Sequence, residues 1–168
     1  MAAQEFGQAM AQYHAGKYPE AVASLKKVQT YQWSRYSNLA RLYEANSYLA
    51  LNDFLKATNA VQQFLAGTDP ASLMRQIGLL TLADIEERQS QCKEAIKNYS
   101  DAGKIKAAFT ESAFLGEARC AVQVGDLQTG LAAYRQLIKD QPESQLASYV
   151  RFQISELESK LAAQPSKK

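Results

Sequence analysis

A chain of 168 residues, 46% hydrophobic and 21% charged, with a formal net charge of +2, has the length of one domain or one stack of small repeats and enough apolar material for a buried core. The near-neutral balance excludes the clustered basic excess of a nucleic-acid-binding domain. No apolar run approaches the roughly 18–20 residues that span a bilayer, which excludes direct membrane insertion; the richest stretch, 77–83, is broken by Gly78 and Thr81.

Hydrophobic periodicity predicts nine helices, at about 3–14, 18–29, 35–50, 54–65, 71–88, 92–103, 111–123, 127–139 and 144–162, and no strand. The first pair meets at Gly16-Lys17-Tyr18-Pro19-Glu20-Ala21. Gly16 supplies the left-handed residue that ends a helix, and Pro19 fits the first turn of the next. The second pair is joined by Leu51-Asn52-Asp53, with Asn52 in the glycine's place. The third, joined by Ser90-Gln91-Cys92, is the most divergent, and the fourth turns at Val124-Gly125-Asp126-Leu127.

A small residue follows each turn: Ala21, Ala57, Ala95 and Gly130, at spacings of 36, 38 and 35. A larger residue stands four further on, Leu25, Val61, Tyr99 and Tyr134, and Pro70 and Pro142 punctuate the chain between pairs. None of these helices can bury its apolar stripe alone, so stacked neighbours must share a core. In 144–162, Leu146, Val150, Ile154, Leu157 and Leu161 form one stripe, backed by Arg151, Glu156, Glu158 and Lys160. That pattern suits a terminal capping helix, and the tail 164–168 is expected to be disordered.

The turn at 16–21, with its echoes at 52–57 and 124–134, resembles the tetratricopeptide repeat. The resemblance implies an all-α, right-handed α-solenoid of about four repeats, at 3–30, 35–66, 71–103 and 111–142, in a single domain 1–163 with the capping helix 144–162. It implies a non-catalytic protein–protein interaction module, an adaptor or scaffold that binds a peptide or protein segment in a concave groove. The segments 79–83 and 116–120 also look like the tetratricopeptide-like domains of bacterial cell-envelope proteins, which often sit on the periplasmic side of a membrane anchor. The start Met1-Ala2-Ala3-Gln4-Glu5 lacks the layout of a signal peptide. The chain is expected to be soluble as given, periplasmic if cut from an anchored parent and cytoplasmic otherwise.

In tetratricopeptide stacks the first helix of each repeat lines the groove. By that resemblance the groove holds Met10, Tyr13 and His14, then Leu42, Asn46 and Leu49, then Asp84, Glu87 and Arg88, then Arg119, Val122 and Gln123. The first half is mainly apolar and the second charged. The run Asp84, Glu86, Glu87 and Arg88 reads as a solvated helix end, with a patch for a basic partner as the alternative. Chaperone-tail binders of this fold hold a carboxylate in a Lys, Asn and Arg clamp. Phe6, Met10, Tyr43, Ile77 and Thr81 stand at the matching places, and only Asn46 fits when the frame is shifted, so that reading is rejected. The cluster Tyr31, Trp33, Tyr36 and Tyr43 reads as packing between the first two repeats, with an exposed patch for a partner or for self-association as the alternative. A self-associating structural protein, or an accessory domain of an anchored envelope protein, is the runner-up function.

No catalytic, cofactor or metal motif is present: no phosphate-binding glycine loop, nucleophile elbow or HExxH. His14 is the only histidine, whereas a metal site needs several ligands at set spacing. Asn98-Tyr99-Ser100 matches a glycosylation sequon but falls within a predicted helix. Cys92 and Cys120 read as small buried or half-buried residues in a chain too large and core-rich to need a disulfide staple; a bridge between them would require Cα atoms within about 7 Å, which the spacing leaves open.

Overall fold

The computed structural model describes residues 1–163. Among them are nine α-helices and no strand: α1 (Ala2–His14), α2 (Tyr18–Gln29), α3 (Arg35–Ala50), α4 (Phe54–Ala66), α5 (Leu73–Arg88), α6 (Cys92–Lys104), α7 (Thr110–Gln123), α8 (Leu127–Asp140) and α9 (Ala147–Ala162). Each helix packs against its chain neighbour within two compact units, one from Met1 to Pro70 and one from Ala71 onward. The first holds α1–α4 and the second α5–α9. The division falls directly after Pro70, within what the sequence reads as a single domain. The tail expected at 164–168 lies outside the described residues.

The repeat is written in the backbone. Four described residues have positive φ: Gly16 at 72°, Asn52 at 57°, Ser90 at 60° and Gly125 at 81°. They are one per helix pair and share the 36, 38 and 35 spacing of the small residues. After each, a backbone N–H reaches five residues back: Lys17 to Gln12, Asp53 to Tyr48, Gln91 to Glu86 and Asp126 to Ala121, all at 2.9 Å. This bond closes a Schellman turn and satisfies a helix-end carbonyl. In two repeats the next residue also caps the following helix: the Asp53 and Asp126 carboxylates accept from the N–H groups of Lys56 and Thr129 at 3.2 and 3.1 Å.

Two small residues per pair then let the helices approach. Ala9 and Ala21, Ala45 and Ala57, and Ala83 and Ala95 are fully buried, as is Ala118, which faces buried Gly130. Larger side chains seal each unit. Leu25 and Val28 sit under Phe6, Tyr36 and Tyr43 in the first, and Tyr134, Leu137, Val150 and Leu157 share a cluster in the second.

A polar residue near the start of three first helices ties each pair's far end. The Asn38 amide donates to the carbonyls of Phe64 and Gly67 at 3.2 and 3.3 Å. At the equivalent place, buried Gln76 donates to Ala102 and Ile105 at 3.1 and 2.7 Å and accepts from the Phe109 N–H at 3.0 Å. The Glu111 carboxylate accepts from the Ser144 hydroxyl. The Asn38 and Gln76 amide N–H groups thereby satisfy carbonyls that the end of a second helix leaves bare.

Three boundaries or pairings depart from expectation. Helix α5 begins at Leu73 because Ser72 caps it, accepting from the Arg75 N–H at 3.1 Å. Helix α9 begins at Ala147, since 141–146 forms turns in which the Ser144 hydroxyl accepts from the Leu146 N–H. Leu146 therefore leaves the expected stripe and is exposed. Cys92 and Cys120 are both buried, as expected of small core residues, and are joined as a disulfide with Cα atoms 5.0 Å apart. The bond that a core of this size is not expected to need is present because repeat stacking sets the start of α6 beside α7.

Candidate functional site

In the first unit, α1 and α3 are in direct contact. Met10 and Tyr13 on α1 and Asn46 and Leu49 on α3 are partly exposed, and His14 is exposed. The Tyr13 ring meets those of His14, Tyr18 and Tyr43 edge to face, at centroid separations of 5.4–5.7 Å. Burial, with the nearby Tyr18 and Tyr43 phenols, holds its own phenol above the usual tyrosine range. One expected groove residue fails here. Leu42 is 5% exposed and belongs to the core, so it offers no surface to a partner.

In the second unit the expected charges meet one another. Arg119 on α7 grips Glu87 on α5 with two guanidinium nitrogens, Nε to Oε1 at 2.6 Å and Nη2 to Oε2 at 2.7 Å. The Tyr99 hydroxyl donates to the same carboxylate at 2.8 Å. Arg119 foremost, and Tyr99 after it, hold the Glu87 carboxyl below the ordinary range against the opposing effect of burial. Arg88 bonds Asp84 at 2.9 Å, one helical turn away. Glu86 differs: burial lifts its carboxyl above the ordinary range despite an Asn98 amide at 2.7 Å. Val122 is partly exposed and Gln123 exposed. The charged patch is therefore largely self-neutralised, which sequence reading missed because the pairing joins residues 32 apart.

The aromatic cluster divides. Tyr36 stacks on Phe6 at 5.2 Å and Tyr43 meets the same ring at 5.9 Å, as packing requires. Tyr31 is partly buried, but Trp33 is 100% exposed and has no part in that packing. Two further exposed aromatics were not singled out in the sequence. Tyr149 and Phe152 on α9 are 51% and 60% exposed. Their three-residue spacing beside the expected charged face was the available signal. Among the described residues, no group of three or more His, Cys, Asp or Glu could hold a metal ion, and no helix is long and apolar enough to cross a membrane.

Helix pairs closed by one recurring left-handed turn, with a small residue buried on each helix, define a helical-repeat solenoid. Residues 112–144 match the tetratricopeptide repeat family model. No curated protein matches the chain by sequence. Solved structures are similar across nearly all of it. One contains the nearly identical TPR-like repeats of a Podosopora anserina protein assigned as a kinesin light chain, with 15% identity, TM-score 0.73, and coverage of 96% of this chain and 87% of that one. YrrB, a TPR protein with an unusual peptide-binding site, has 14% identity, TM-score 0.72, and coverage of 98% and 79%. MamA has 14% identity, TM-score 0.71, and coverage of 96% and 88%. Residues 112–144 thus match one tetratricopeptide repeat, and the chain as a whole has the all-α helical-repeat fold of these structures. The repeat match and the fold support a protein–protein interaction module in general.

Proposed function

We propose that the chain is a non-catalytic adaptor that binds a peptide or protein segment on the first-helix face of its first unit. The observation that carries this reading is the contrast between the two first-helix faces. Around Met10, Tyr13, Asn46 and Leu49, partly exposed apolar, aromatic and amide groups lie on two touching helices. Around Glu87 and Arg119, the charges already satisfy one another. Aromatic, Met and amide groups on a preformed surface suit an extended or helical segment with apolar anchors. The peptide-binding site named for YrrB, a protein of similar fold, supports this reading. Selection from a displayed random peptide library tests it. Recovered peptides should bind at least tenfold more weakly to Met10→Ala, Asn46→Ala and Leu49→Ala variants. Peptides whose binding survives all three changes would remove the first-unit face from consideration.

A second reading is self-association, favoured by the fully exposed Trp33 and by Tyr149 and Phe152. Aromatic side chains are enriched at interfaces relative to the rest of a protein surface. A strict monomer in sedimentation at high concentration would end it. For location, the Cys92–Cys120 bond favours the periplasmic reading over the cytoplasmic one, since disulfides persist in oxidising compartments. Fractionation of the native host, with the thiol state trapped by alkylation, decides that point.

A further inference from the structure

Glu44 in α3 and Glu117 in α7 occupy the same place in their repeats, eight residues before the left-handed residues Asn52 and Gly125. Leu82 fills that place in the third repeat, where an apolar residue suits a buried position. Both glutamates are nonetheless buried, at 7% and 9% exposure. Each lines a cleft between two second helices, α2 and α4 in the first unit and α6 and α8 in the second. A buried carboxylate requires donors.

The first unit supplies them from its own chain. The Gln29 amide donates to Glu44 Oε2 at 2.6 Å, and the Lys26 ammonium stands 3.8 Å from Oε1. The Tyr48 ring carries Lys26 and Lys56 at 5.7 and 5.4 Å from its centroid. What is left of the cleft is about 160 Å³. In the second unit the repeat register puts Gly103 where Gln29 stands, Ser100 for Lys26 and Ala121 for Tyr48. The amide, the ammonium and the aromatic shelf are all gone, and the cleft opens to about 450 Å³.

Its walls are apolar at Phe114, Ala132 and Ala133, with Glu117 the buried charge among them and Asp140 a second carboxylate. Two lysines also line the cleft: Lys104, which is engaged by Asp101 at 2.8 Å, and Lys106. Burial holds the Glu117 carboxyl above the ordinary range, while the Ser100 hydroxyl and Lys104 favour its charged form.

We propose that this cleft is a second binding site, which takes a lysine side chain of a partner polypeptide: the ammonium meets the Glu117 carboxylate, and the methylene stem lies against Phe114, Ala132 and Ala133. The incoming group replaces what Lys26 and Gln29 provide in the first unit. The site shares no residue with the first-helix faces, so it stands or falls independently of the adaptor reading above.

The test is an NMR titration of the full chain at pH 8 with Nα-acetyl-lysine N-methylamide, with the norleucine counterpart, which lacks the ammonium, as control. The expected result is saturable shifts at the amides of Gly103, Glu117 and Ala133 with Kd on the order of 1 mM, and at least tenfold weaker binding of the norleucine compound. Glu117→Gln should weaken lysine binding at least tenfold. Ser100→Lys, which restores the counterpart of Lys26, should block the site in a chain whose spectrum stays folded, so a folding defect in the first variant would not spare the proposal. Absence of saturable shifts, equal binding of the norleucine compound, or undiminished binding in Ser100→Lys would each overturn it.

Discussion

Glu87 receives both the Nε and the Nη2 of Arg119 across the α5–α7 boundary, at 2.6 and 2.7 Å. The pair links two successive repeats, and Tyr99 from the helix between them joins the same carboxylate. Its role is therefore cohesion of the second unit before any role in recognition. Because the folded-state pKa of Glu87 is depressed, its contribution is present above the unfolded value and is lost as pH falls through the folded one. Glu86 and Glu117 act with the opposite sign. Their raised values favour the fold at low pH, and that contribution is lost as pH rises through the folded values. A melt of the native chain alone therefore mixes the two effects. The difference between the native chain and Glu87→Gln isolates one of them. It should be about 1–2 kcal/mol at pH 7, given the pair's partial exposure, and should vanish below the depressed Glu87 pKa. Urea denaturation of both proteins from neutral to acid pH measures it; a difference independent of pH would refute the ionic account.

Ser90 adopts φ 60° at a place where Gly16 and Gly125 stand in sister repeats. A left-handed conformation costs an L-residue roughly 1–2 kcal/mol, and glycine offsets part of that relief by its greater freedom in the unfolded chain. Ser90→Gly should therefore raise stability by up to about 1 kcal/mol. Gly125→Ala should lower it by a similar amount, and the two changes together should nearly cancel. Thermal melts of the three variants check the set, and a stabilising Gly125→Ala would contradict the turn assignment.

The sequence disclosed these turns because φ > 0 restricts residue choice locally, so that Gly16, Asn52 and Gly125 announce themselves. Ser90 could be placed only by spacing. Long-range polar partnering left no such local mark. Asn38 and Gln76 each reach carbonyls 26 or more residues away, and only their 38-residue spacing hinted that they were equivalent. The same applies to the candidate site. First-helix register put forward Asn46 and Arg119 as candidates, but it could not tell that Arg119 is engaged by Glu87, that Leu42 is closed off in the core, or that Trp33 stands clear of the cluster it belongs to in sequence.

The pairing of Cys92 with Cys120 closes 28 residues of chain between α6 and α7. In the chain-entropy account, a loop of that size contributes roughly 3–4 kcal/mol. The expected result is no free thiol in the unfolded, unreduced protein, and a loss of about that stability in dithiothreitol or in the Cys92→Ala, Cys120→Ala double variant. Two titratable thiols in protein purified without reductant, with an unfolding midpoint indifferent to dithiothreitol, would show that the bond contributes nothing.

The sharpest steric constraint is Gly116. A Cβ built there would lie 2.6 Å from both Cδ1 and Cζ of the Tyr99 ring. That ring has little freedom to retreat. It is buried in the cluster containing Ala83, Ala95 and the two cysteines, and its hydroxyl is held by Glu87 at 2.8 Å. Gly116→Ala must therefore push α7 away from α6 or break the Tyr99–Glu87 bond, at a cost of about 1–3 kcal/mol, despite the helix propensity that alanine adds. Gly7 in α1 is the internal control, because a Cβ there meets nothing within 4 Å. Gly7→Ala should stabilise by about 0.5–1 kcal/mol through propensity alone. Chemical denaturation of the two variants side by side gives shifts of opposite sign if close approach is what requires glycine at 116, and shifts of the same sign if it is not.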